Sequence, residues 1–211
     1  MKGLVLKDIY MAVKYCRIYF LIAVVFAVVY VWSDNLFLAA YPVLLASAVS
    51  VNLLSYDEKS KWSSYVGTFP YTRAQLVAAK YIVTLLALGV SVLLMGLGFA
   101  AHMLVVGDFQ LSKLLTFFGL LVCVGFASPS FMLPIIFRFG VEKGRIAYYA
   151  VLVFFCAAVG ALGVVGPDAG VLDLPVAQNA GVLLAAALIG VVLFAGSWFL
   201  SVRIYAKREL S

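Results

Sequence analysis

Between Ser55 and Arg73 the chain reads SYDEKSKWSSYVGTFPYTR, and here its side chains of most varied chemistry are gathered. Asp57 and Glu58 lead, Lys59 and Lys61 follow, and Arg73 comes after Pro70. Trp62, Tyr65 and Phe69 recur at steps of three and four, which sets their rings along one face of a helix. Acids suit a helix N-terminus, and the residue before a proline disfavours helix. The order of acids, aromatic stripe and proline predicts a short amphipathic helix lying on a membrane surface; a solvated loop whose rings belt the bilayer is the alternative. Such a set breaks no covalent bond. Its chemistry is recognition, with charged groups to pair and rings to bury. Glu142, Lys143 and Arg145 form a second, smaller group of the same kind.

Bond-making chemistry has little else to work with. No GxxxxGK[ST] segment is present to cradle nucleotide phosphates. His102 is the single histidine, so a zinc site of paired histidines is out of reach. A hydrogen-bonded packing role is expected for it. Cys16, Cys123 and Cys156 are scattered without CxxC or metal spacing and are expected to pack as small apolar residues. Paired intramembrane aspartates are also missing. The reading is of a chain that is no enzyme and carries no cofactor or metal of its own.

The elements that must position these groups are apolar. Of 211 residues, 66% are hydrophobic and 11% charged, more apolar surface than a soluble domain of this size can hide. A helix needs about 20 mostly apolar residues to cross a bilayer core. Long uncharged runs predict six transmembrane helices, at about 18–33, 35–55, 80–106, 113–137, 146–166 and 177–202. The first is short, but Arg17 can snorkel, and Tyr30 and Trp32 suit an interface. An uncleaved span fits it better than a signal peptide, because no small-x-small site follows. Residues 1–17 predict an N-terminal interfacial helix, with Leu6, Ile9, Val13 and Cys16 on one face and Lys7, Lys14 and Arg17 on another. A solvated extension of the first span is the alternative. The fold class is thus all-α integral membrane, a single transmembrane domain over 1–211, with the 55–73 segment joining spans two and three. Whether the outer loop 167–177 re-enters the membrane is open.

Charge orients the whole. With the N-terminus on the cytoplasmic side, every one of the 15 basic residues except Lys113 falls inside, as the positive-inside rule requires. Both termini are then cytoplasmic. The net charge of +6 belongs to one membrane face and points to anionic lipid, not nucleic acid. No acid or base stands at the centre of any predicted span, which disfavours ion-coupled transport. Energy for any transport would come from elsewhere.

The stretch SYDEKSKWSSYVGTFPYTRAQLVAAKY resembles the region after the second span in ABC-2 type transporter permeases. The likeness is greatest to the small six-span bacterial branch with the permeases of phenol-soluble modulin and lantibiotic exporters. In that branch a DEK…W…LP.[ST]R…..KY pattern recurs, matched here by Asp57, Glu58, Lys59, Trp62, Pro70, Thr72, Arg73, Lys80 and Tyr81, with Phe69 in place of the usual leucine. PIIFRFGVEKGR, holding Glu142, Lys143 and Arg145, and the opening MKGLVLKD are similar to the family as well. The resemblance implies a bacterial plasma-membrane exporter subunit that works as a homodimer or heterodimer. A separate ABC ATPase would bind ATP and Mg and drive it. Residues 55–73 would be the cytoplasmic coupling helix, with Asp57, Glu58, Lys59, Lys61, Trp62, Tyr65, Phe69, Pro70 and Arg73 contacting that ATPase. Glu142, Lys143 and Arg145 would add a second contact. An amphipathic peptide or lipid-like substrate suits the uncharged spans. The alternative from another class is a non-transporting membrane scaffold or immunity protein that binds a peptide or partner helix.

Overall fold

A computed structural model describes residues 2–32, 36–66, 71–165 and 180–207. Those residues form helices and short joints, with no strand among them. The helices are α1 (Lys2–Tyr15), α2 (Arg17–Tyr30), α3 (Leu36–Ala46), α4 (Ala48–Lys59), α5 (Trp62–Val66), α6 (Arg73–Val106), α7 (Leu111–Phe139), α8 (Val141–Val165) and α9 (Ala180–Lys207). Four stretches of the described residues are long and apolar enough to cross a membrane: Leu38–Lys59, α6, α7 and Ala185–Ala206. The α1–α2 pair, bent by 63°, makes a fifth if it is taken as one span. The protein is a multi-pass membrane protein.

Several boundaries differ from the sequence expectation for physical reasons. The run predicted at 18–33 gives a helix of 14 residues, about 21 Å long, and so shorter than a bilayer core. The run at 35–55 is broken at Ser47, whose hydroxyl donates to the Leu44 carbonyl at 2.6 Å. The third long helix starts earlier than expected, at Arg73. Thr72 and Gln75 close a capping box there, the Thr72 hydroxyl accepting from Gln75 N–H and the Gln75 side chain from Thr72 N–H. That satisfies two orphan donors of the first turn.

The α3–α4 rod is the middle of the bundle. It contacts α2, α6, α7 and α8, and 78% of its apolar window is buried, against 22% for that of α9. Peripheral α9 packs chiefly on α7 and α6. At one end the core is aromatic: Phe99 and Phe117 stack at 4.2 Å, and Tyr30 leans on both. His102 Nδ1 lies 2.9 Å from the Val31 carbonyl. A carbonyl can only accept, so Nδ1 carries the proton. Nearby, a Cβ on Gly98 would stand 2.7 Å from the Ala27 backbone oxygen, so α6 and α2 cross here at backbone contact, as small residues allow in membranes. At the other end α7 and α8 are joined by Gly140 alone, at φ 84°, a conformation costly for any residue with a Cβ.

Candidate functional site

The groups singled out by sequence meet at the end of the bundle opposite the aromatic core, in an arrangement that differs in part from the expected one. Asp57 and Glu58 do not open a new helix. They lie in the last turn of α4, which continues to Lys59. A helix C-terminus repels acids, and each has a partner that offsets this. Asp57 accepts from Lys7 Nζ at 2.9 Å and from Lys80 Nζ at 2.5 Å. Glu58 Oε1 accepts from the backbone N–H of Val141 at 3.3 Å, the first residue of α8, where orphan N–H groups and the helix dipole favour a carboxylate.

Helix α5 is five residues long and holds Trp62 and Tyr65 of the aromatic stripe; Phe69 and Pro70 lie outside the described residues. Lys61, between α4 and α5, has φ 53°, a left-handed conformation uncommon for a residue with a side chain. It turns the chain sharply after Ser60. Trp62 is half-buried, its ring 4.2 Å from Lys7 Nζ, within cation–π range. Tyr65, in contrast, is 63% exposed.

Beneath this segment lies a buried ion cluster. Asp8 on α1 is fully enclosed and Lys80 on α6 nearly so. Lys80 Nζ is 2.9 Å from Asp8 Oδ1, and Lys7 Nζ is 3.2 Å from the same oxygen. Two acids and two bases balance. Together they tie α1, α4 and α6 at one point, with α5 covering Lys7. Buried ions persist only when paired, and deleting one partner strands the rest. Asp8 was missed in the sequence because it sits among lysines on a helix whose apolar stripe was placed on Leu6, Ile9, Val13 and Cys16. In the structure Leu6 and Val13 face outward while Leu4, Asp8 and Ala12 are buried. The signal was present: these three are spaced i, i+4, i+8, one face of a helix.

Arg73 and Arg145 are also engaged within the chain. Arg73 donates to the carbonyl of Ala206 at 2.6 Å, where a cation matches the C-terminal dipole of α9. Arg145 donates to Ser55 Oγ at 2.6 Å. The two groups that sequence kept separate therefore share one surface, joined by Glu58–Val141 and Arg145–Ser55. Exposed on it are Glu58, Lys59, Lys61, Tyr65, Glu142, Lys143 and Arg145.

From this surface a ladder of side-chain hydrogen bonds runs along the rod, and sequence reasoning had not picked it out. Ser55 meets α8 through Arg145. Asn52 donates to Tyr19 of α2 at 2.9 Å. Ser50 bonds Thr84 of α6, and Ser47 bonds Ser128 of α7 at 3.0 Å. Four polar residues thus reach four different helices, each as interhelical glue in an apolar setting. Tyr81 adds α9, its hydroxyl 2.8 Å from both Ser197 and Ser201. No group of three or more His, Cys, Asp or Glu is placed to hold a metal among the described residues. What the arrangement offers is a charged and aromatic surface joined by hydrogen bonds to the interior of the bundle.

Comparison with curated proteins and with solved structures gave no match. The model of one family, described as ABC-2 family transporter protein, matches residues 3–206. A match over nearly the whole chain places this protein in that family, the membrane components of ABC transporters.

Proposed function

We propose that the chain is the permease subunit of a bacterial ABC exporter, paired with a second copy or a paralogous permease and powered by a separate ATPase that binds ATP and Mg. In this reading α8 and the short α2 join the four long stretches to give six spans. α1 lies in the inner interface, and both termini are cytoplasmic. Support for this orientation comes from the basic residues gathered at the end that holds α5.

The observation that carries the reading is the surface at that end. Asp57, Glu58, Arg73 and Arg145 are held by this chain's own groups, so their part is to stiffen the segment. Lys59, Lys61, Tyr65, Glu142 and Lys143 are exposed beside them and would serve as docking groups. α5 is continuous with α4 through a two-residue joint, and α4 is bonded to four neighbours. A partner that shifts α5 would therefore shift packed helices as bodies, provided it docks better in one state than in the other. An amphipathic peptide or lipid-like cargo suits the apolar helices.

The test is reconstitution with the ATPase subunit that co-purifies with the chain. Tyr65→Ala with Lys143→Ala should leave the permease folded and weaken the complex at least tenfold, with ATP hydrolysis falling to that of the free ATPase. Unaltered association would remove this surface from the mechanism. A chain that acts with no ATPase at all would favour a scaffold or immunity role.

A further inference from the structure

The buried ion cluster has more acceptor capacity than it uses. Asp8 presents a single oxygen, Oδ1, to both lysines, while its Oδ2 is buried without a hydrogen-bond partner. Asp57 uses both oxygens, one for each lysine. An unmatched buried acceptor carries a desolvation cost, and each one in a native structure calls for an explanation.

The two carboxylates also differ in setting. Asp8 lies mid-helix on the packed face of α1, its side chain 1% exposed. Asp57 is 13% exposed, in the last turn of α4 beside the left-handed joint at Lys61. Lys7 is the less enclosed lysine and lies within reach of both acids. We propose that the cluster works by ion-pair exchange, in which Asp57 leaves with the end of α4 and Lys7 moves onto the vacant Oδ2 of Asp8.

No bond is made or broken beyond hydrogen bonds, and the total charge is unchanged; the cluster itself goes from neutral to +1, an excess that falls on Lys7, the less enclosed lysine. At rest two acids hold two lysines. After exchange Asp8 holds both lysines, one on each oxygen, and Asp57 is solvated at the membrane edge. The Trp62 ring, now over Lys7, is released with α5. Asp8 is thus a positioning residue: it keeps α1 bound to α6 in both states while the last turn of α4 slides away with α5, beyond the Ser50–Thr84 and Asn52–Tyr19 bonds that hold the rest of α4. That the exchange serves transport rests on the function proposed above; the exchange itself rests on the geometry of the four side chains.

Spin labels at Tyr10 on α1 and Ser60 after α4, both exposed, report the slide in the full chain in lipid nanodiscs. Asp57→Asn keeps the side-chain shape and weakens its hold on both lysines. It should shift the label distance by about 5 Å, on the scale of one helical turn, without nucleotide. Adding Asp8→Asn removes the receiving carboxylate and should broaden the distribution. With the partner ATPase trapped by vanadate after ATP hydrolysis, as its ADP–vanadate complex, the unsubstituted chain should show the Asp57→Asn distance, and Lys7→Gln should abolish that shift. An Asp57→Asn distance equal to the unsubstituted one, or a double variant that matches Asp57→Asn, overturns the exchange. If Asp57→Asn shifts the distance and the vanadate-trapped complex does not, the exchange stands and the ATP-driven reading falls.

Discussion

Charged pairs occur at both ends of the bundle, and they are built in opposite ways. At the end with the aromatic core, Lys113 in the first turn of α7 and Asp108 in the connection before it pair at 2.9 Å with side chains 37% and 53% exposed. At the other end four charges are enclosed and shared among α1, α4 and α6. The first pair links residues five apart; the second set links residues up to 72 apart in sequence. One decorates the entry to a helix, and the other fixes where whole helices stand. The same kind of contact therefore carries different weight, and the function proposed above uses this asymmetry: movement would enter at the enclosed end.

The comparison can be broken most forcefully at Lys80. Lys80→Ala leaves Asp8 and Asp57 buried with one lysine, and should lower stability by about 3–5 kcal/mol, read as loss of folded protein on heating in detergent. A change under about 1 kcal/mol would mean that water reaches the cluster and that the two ends are alike. Next comes the α2–α6 crossing. Gly98→Leu meets the Ala27 carbonyl, which has no freedom to retreat, and should cost about 1–3 kcal/mol. Gly89→Ala on the same helix is its control: nothing stands within 4 Å of the added carbon, so stability should be unchanged or rise. Tyr81→Phe removes two serine contacts between α6 and α9 and should cost about 1 kcal/mol.

The smallest effect is expected at Asp108. Hydrogen bonds from Lys113 and Gln110 hold its carboxyl below the ordinary carboxylate range. A depressed carboxyl contributes stability that is present above its unfolded value and is lost as pH falls through the lowered one. Because the group lies at the surface, Asp108→Asn should leave the melting temperature unchanged at neutral pH. A clear loss on melting at pH 7 would show that this end, too, holds helices in place.

The apolar helices and the basic end were legible in the sequence because they depend on sums. Hydropathy over some 20 residues and a count of lysines and arginines survive any local error. Helix ends were less legible, as they depend on single partners. Asp57 and Glu58 read as a helix start until Lys7, Lys80 and Val141 are seen to hold them in a helix end. The capping box at Thr72 and Gln75 could have been read directly, since it is local. The Ser47, Ser50, Asn52 and Ser55 ladder could not, and Asp8 only in part, since its spacing with Leu4 and Ala12 marks a packed face but not its partners. A lone acid among lysines and isolated hydroxyls in apolar runs gain meaning only once neighbouring helices supply their partners. Pairing of the two charged motifs into one surface depends on the Gly140 turn, which brings α8 back beside the end of α4.

The most direct test of the central claim is site-specific photo-cross-linking in the native membrane. A benzophenone side chain at exposed Tyr65 should capture the ATPase subunit, and the same group at exposed Phe109, at the opposite end, should not. Capture from Phe109, or no ATPase adduct from Tyr65 in a membrane where transport is active, would contradict the account.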